Sequence, residues 1–167
     1  VPNSPLKRYL RTEDCLVAFN TFVNNKESFV FGVESSAGDT VLPPRRITIA
    51  NNAVVTNGNP VIKVVNLPED SVWRGNFYMG EELGAKVDEG FEQANLGLNS
   101  EPGDIARPDA SSPLVDAAVQ AGAVPVTDID LQPRSEDSAD VGADELSGAP
   151  VRRRPLARDD VGPHWMH

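Results

Sequence analysis

The two histidines, His164 and His167, both fall in "HWMH" at the end of the chain. At i, i+3 spacing they could share a metal on a helix, but two ligands do not close a zinc site. Cys15 is the one cysteine, so no internal disulfide can form. With no other histidine, neither a Ser-His-Asp nor a Cys-His arrangement has a base on the folded part. Cys15 precedes "LVAF" and reads as a small buried hydrophobe rather than a reactive thiol. Carboxylates are abundant, with pairs at Glu81-Glu82, Asp88-Glu89, Asp128-x-Asp130 and Asp159-Asp160. A two-carboxylate hydrolase needs its acids opposed across a cleft. Adjacent pairs in so acidic a chain read as a solvated face. "DIDLQPRSED" lacks the glycine and the ligand spacing of a Ca²⁺ loop. The glycines after residue 80 fit neither a dinucleotide fingerprint nor a P-loop. The expectation is a protein that is not an enzyme and carries no cofactor or metal.

What remains is recognition chemistry near the end of the chain. "VRRRPLARDD" clusters Arg152, Arg153, Arg154 and Arg158. These guanidiniums suit pairing with acids of the same assembly better than contact with RNA, because acids both precede and follow them; a processing site is a further option. Trp165 is the only aromatic beyond Phe91. A tryptophan buries some 150–250 Å², and Met166 beside it adapts to irregular apolar pockets. Arg152, Arg153, Arg154, Arg158, Trp165 and Met166 are therefore the candidate partner-binding residues, with the end of the chain as an anchor.

The elements that must position these residues divide into two materials. The 167 residues carry a net charge of −10. That charge disfavours nucleic acid or an anionic membrane as main partner. No apolar run approaches the roughly 18 residues of a membrane span, and no signal-peptide pattern opens the chain. Residues 1–99 hold nine of the ten aromatics and are only mildly acidic; residues 100–150 hold two basic residues against eleven acids. The core is therefore expected from the first part.

That first part reads as strands. "CLVAFNTFV", "SFVFGVE", "RRITIA", "AVVTNGNPVIKVV" and "SVWRGNFYM" are rich in β-branched and aromatic residues and punctuated by Gly and Pro. Asn57-Gly58 between two β-branched runs predicts a tight hairpin. The expected body is a small antiparallel β-sandwich or barrel over about residues 10–80. Leu83, Val87, Phe91 and Ala94 recur at helical spacing, so an amphipathic helix is expected over about 81–96. A short helix is expected over about 113–121, capped by Ser112 with Pro113 at its first position. The rest of 100–167 reads as a long, acidic, Pro-rich arm, extended and without its own core.

The chain is thus expected to divide into a β-rich body with a trailing helix, 1–99, and an extended arm, 100–167. This is similar in kind to viral capsid and capsid-associated proteins, in which a small β-rich body carries long arms ordered by neighbouring subunits. The expected function is that of a non-enzymatic structural protein of a large assembly, a virion fitting best. The alternative is a soluble protein-binding module of a cellular complex whose tail folds on its partner. Partners would be other protein subunits, with no membrane and no free monomer. The location would be the virion, or else a reducing or redox-neutral cytoplasm.

Overall fold

The computed structural model describes residues 11–32, 42–87, 89–99, 105–122, 124–153, 156 and 160–161. Within these the chain is mainly β. It coils through successive rungs, each stacked on the one before. The first rung carries β1 (Leu16–Ala18), β2 (Thr21–Val23) and β3 (Phe29–Phe31). The second repeats the set with β4 (Thr48–Ala50), β5 (Ala53–Val55) and β6 (Ile62–Val64). The third supplies β7 (Val72–Arg74) and β8 (Asn76–Met79), and β9 (Phe91–Gln93) begins a fourth. The sheets run β1-β4-β7, β2-β5-β8-β9 and β3-β6, and every pairing within them is parallel. Parallel strands contributed one per turn make a β-solenoid. A short antiparallel pair, β10 (Leu98–Asn99) with β11 (Arg107–Pro108), follows.

The strand character foreseen from composition holds; the antiparallel sandwich or barrel does not. Alternation of apolar and polar residues looks the same whether a strand's partner is its chain neighbour or lies one rung away. The expected hairpin at Asn57-Gly58 is likewise absent. A two-residue I′ turn needs positive φ at both central residues, and here Gly58 has φ 73° while Asn57 does not take a positive φ. The loop instead carries the chain from one sheet to the next: β5 pairs with β2 and β8, and β6 pairs with β3.

No helix forms over 81–96 among the described residues. Val61 N donates to Glu82 O and Ile62 N to Leu83 O, so this segment lies along the rung before it. Gly84 (φ 84°) and Gly90 (φ 95°) allow that approach. A Cβ would stand 2.2 Å from Ile62 O at the first and 2.2 Å from Trp73 O at the second. Leu83 and Phe91 still face the interior, but Leu83 does so from an irregular segment and Phe91 from strand β9, not from a helix. Over 113–121 the expected helix does not form either; a turn takes its place. Ser112 Oγ accepts from Leu114 N as a cap should, but Asp116 takes φ 55° and its N–H goes to Asp140 Oδ1. No described helix is long and apolar enough to cross a membrane.

The interior of the coil is apolar and comes from residues before 92. Phe29, Phe31, Ile47, Ile49, Val54, Val61 and Ile62 are buried, with Trp73, Tyr78 and Phe91 packed against them. Phe29 meets Phe22 edge-on at 5.0 Å, and Phe31 meets Trp73 at 5.4 Å. Like residues stack from rung to rung at the corners too. Phe19, Asn51 and Gly75 all take φ between 53° and 57° between the first and second strands of their rungs. Each is followed by an asparagine, and these form a ladder. Asn20 Nδ2 donates to Asn52 Oδ1 at 3.0 Å, and Asn52 Nδ2 to Asn76 Oδ1 at 2.9 Å. Asn76 Nδ2 ends the ladder on Ile49 O and Gly90 O. Another corner stacks charge: Arg46 pairs with Glu13 and Asp14 of one rung, and Arg45 with Asp70 of the other.

The outer face of the β2-β5-β8-β9 sheet is covered. Ala53 and Phe77 point outward there and are buried with Leu96, Leu114 and Val141. The segment 105–150 therefore lies as a strap over its own solenoid. Val119 bonds Asn51, and Ala143 N donates to Thr21 Oγ1, so the strap runs back to the first rung. Of the spaced apolar residues in this stretch, Val141 is buried, whereas Val126, Ile129, Leu131, Leu146 and Val151 are exposed. Besides that apolar contact, the strap is held by its polar groups.

Candidate functional site

Those polar groups gather where the strap reaches the first rung. In "VTDIDLQPR" the Asp128 carboxylate folds its own loop. Its Oδ1 accepts N–H groups from Asp130 (2.9 Å) and Gln132 (2.8 Å), and its Oδ2 accepts that of Glu145 (3.1 Å). Leu131, at φ 63°, closes the turn. Asp140 works the same way, accepting Asp116 N and Leu146 N. Such carboxylates replace missing ladder bonds: a loop without strand partners has to satisfy its buried N–H groups from side chains.

Arg134 is the hub. It is 8% exposed and donates to Glu145 Oε2 (3.0 Å), Asp140 O (3.1 Å) and Gly142 O (2.8 Å). Its guanidinium carbon lies 5.1 Å above the Phe19 ring. Phe19 holds a left-handed backbone that a bulky residue adopts at a cost, and the stacked guanidinium offsets part of that cost.

Beside this hub Asp128, Asp130 and Asp144 come together. All three are buried, and one carboxylate oxygen from each lies within 4.8 Å of the others. Arg107 Nη1, carried on β11, donates to both Asp130 Oδ2 and Asp144 Oδ1. Burial pushes the Asp144 carboxyl up to about 6, and the neighbouring Asp128 and Asp130 add to the effect against the pull of Arg107. A cavity of about 230 Å³ opens alongside, lined by Phe19, Asn20, Asp128, Ile129, Arg134 and Ala143. With oxygen donors and no histidine or thiol, the cluster has the donor set of a hard cation.

The acids expected on a solvated face at 128 and 130 are thus buried. Asp128-x-Asp130 was legible as a pair; its burial was not, because Asp144 arrives from fourteen residues away and Arg107 from further still. Of the residues expected to bind partners, Arg152 and Arg153 are exposed, and Arg152 joins the cluster only through its N–H to Asp130 O. Arg154, Arg158, Trp165 and Met166 lie outside the described residues, as do His164 and His167. Cys15 is half-buried against the interior. One signal in the sequence pointed to the coil: Asn20, Asn52 and Asn76 recur, each following the corner residue that precedes an apolar strand.

The family model described as chondroitinase B matches residues 1–118. The chain belongs to the chondroitinase B family. The match covers every rung of the solenoid and the first part of the strap, and it ends before the Asp128 cluster. No curated protein and no solved structure matches the chain.

Proposed function

We propose that this chain contributes a carbohydrate-directed β-solenoid to a chondroitinase B-like enzyme, with an acidic polysaccharide as its substrate class. The observation that carries this reading is the family match over 1–118. The geometry lends support. The strap covers one sheet and only touches the margin of the β1-β4-β7 face, where Gln120 O accepts from Arg74 and Gly122 lies beside Leu16; among the described residues Leu16, Val72 and Arg74 stay exposed there, with Arg45 and Arg46 at its leading corner. A long polymer can lie across stacked rungs, whereas a small ligand would need a closed pocket. The net charge of −10 repels a polyanion at long range. Attraction must then come from the local guanidiniums, which exchange Glu13, Asp14 and Asp70 for the polymer's anionic groups.

Electrophoresis of the chain through gels containing chondroitin sulfate or neutral dextran tests this, with the polymer's size followed in parallel. Retardation by chondroitin sulfate alone, weakened by salt and by the double change Arg45→Ala and Arg46→Ala, is the expected result. Equal mobility in both gels with no loss of polymer length would overturn it.

A second reading keeps the chain as a structural subunit of a large assembly, such as a virion. It draws on the first rung, where among the described residues β1, β2 and β3 each pair on one side only. An open strand edge accepts further strands. Light scattering that finds a monomer across a wide concentration range would count against it.

A further inference from the structure

We propose that Asp128, Asp130 and Asp144 form a binding site for a divalent cation, Ca²⁺, that ties the strap's 128–130 loop to its return at residue 144, beside the first rung of the solenoid. The site is independent of the carbohydrate reading and lies beyond the residues the family match covers.

Three observations carry it. The first is the donor geometry: three buried carboxylates each offer an oxygen within 4.8 Å of the other two. Ca²⁺ binds oxygens at about 2.3–2.6 Å, so ligands on opposite sides of one ion stand roughly 4.6–5.2 Å apart. The spacing here fits around a single ion. The second is an unanswered acceptor. Asp130 is fully buried, its Oδ2 is engaged by Arg107, and its Oδ1 meets no hydrogen-bond donor among the described residues. A buried carboxylate oxygen without a partner is costly, and a bound cation removes that cost. The third is the charge count. Among the described residues, three carboxylates gather around the guanidinium of Arg107, while Arg134 is matched by Glu145. Two negative charges are left over, which is the charge of one divalent ion.

Oxygen donors without nitrogen or sulfur favour Ca²⁺ or Mg²⁺ over zinc or copper. Ca²⁺ is preferred because the three acids are fixed by the loop. Asp128 already holds three N–H groups, and Asp130 and Asp144 share Arg107. Such a set cannot readily contract to the short, strictly octahedral shell of Mg²⁺. The ion would join 128–130 to 144 across the strap's return, beside Thr21 and Phe19 of the first rung.

The test uses the whole chain, stripped with EDTA and titrated with CaCl₂ alone by calorimetry and by thermal melting. Saturable one-site binding is expected, with the melting temperature raised by about 5–10 °C at a hundredfold excess over Kd. MgCl₂ should bind at least tenfold more weakly. Asp130→Asn, of the same shape, should abolish the shift, and Asp137→Asn, an exposed acid of the same strap, should leave it intact. Should Asp130→Asn fail to fold, amide NMR of the unaltered protein decides instead: Ca²⁺ should move the signals of residues 128–132 and 143–145. The proposal is overturned by the absence of saturable binding at millimolar Ca²⁺, by an Asp130→Asn variant that binds as tightly as the parent, or by shifts that map elsewhere.

Discussion

In the solenoid Asn20, Asn52 and Asn76 each hand an amide to the next rung, whereas in the strap Arg134, Asp140 and Glu145 serve backbone groups of their own segment. Both regions bury polar side chains, and the difference lies in what the backbone lacks. Solenoid strands find N–H and C=O partners in the neighbouring rung, so the asparagines need only complete the corners. The strap has almost no ladder, and charged groups must supply what strands would have given. A neutral ladder distributes its bonds over many equivalent positions. A hub such as Arg134 concentrates them in one, and its failure should be correspondingly sharper.

The largest effect is therefore expected from Arg134→Met. It strands Glu145 in a buried site and leaves the carbonyls of Asp140 and Gly142 without their donor. Breaking a buried pair from one side costs about 3–5 kcal/mol, readable as a lowered urea midpoint. Limited proteolysis should then cut within 120–150 while the fragment bearing the rungs survives. If both regions are lost together, the strap and solenoid are one cooperative unit and the contrast drawn above is wrong.

Asn52→Ala should come next, at about 2–3 kcal/mol, since it leaves buried donors and acceptors unmatched. Asn20→Ala, at the half-buried end of the ladder, should cost no more than about 1 kcal/mol. Equal costs in chemical denaturation would deny that the ladder gains from its interior position. Lengthening the exposed 57–59 loop by two glycines should cost under about 0.6 kcal/mol, because the register of β5 and β6 is set by neighbouring rungs, not by the turn between them. A loss of several kcal/mol in the same measurement would restore the turn as the determinant of register.

The smallest effect concerns the exposed charged corner. Arg46 donates to Asp14 and holds its carboxyl below the usual carboxylate range. Stability from this pair is complete above about pH 3.8, the carboxyl's ordinary value, and is lost as the pH falls through the depressed value. Asp14→Asn should flatten that part of an acid-unfolding profile by lowering the neutral-pH midpoint slightly, the small loss expected of an exposed pair, while leaving stability at the acid end unchanged. A large change at neutral pH would mean that the corner matters as much as the ladder.

Several features were legible in the residues alone. "SFVFGVE" and "AVVTNGNPVIKVV" could be read as strands because β-branched and aromatic side chains fit a pleated surface. The crowding of aromatics before residue 92 located the interior, since few other side chains bury as much area. Ser112 was recognisable as a residue whose hydroxyl takes a local N–H, although the helix it was expected to cap is a turn. Each of these depends on contacts within a few residues of chain. Tertiary structure alone decided the rest. Thr21 pairs with Ala53 and Ala53 with Phe77, and only such distant partners turn a period-two pattern into a parallel coil rather than an antiparallel sandwich. The same holds for the acids. Asp130 beside Asp128 looks solvated in any local window, and it became a buried cluster because Arg107 and Asp144 were brought to it by a strap lying over the rungs. Local propensity depends on neighbours in the chain; burial and charge pairing depend on neighbours in space.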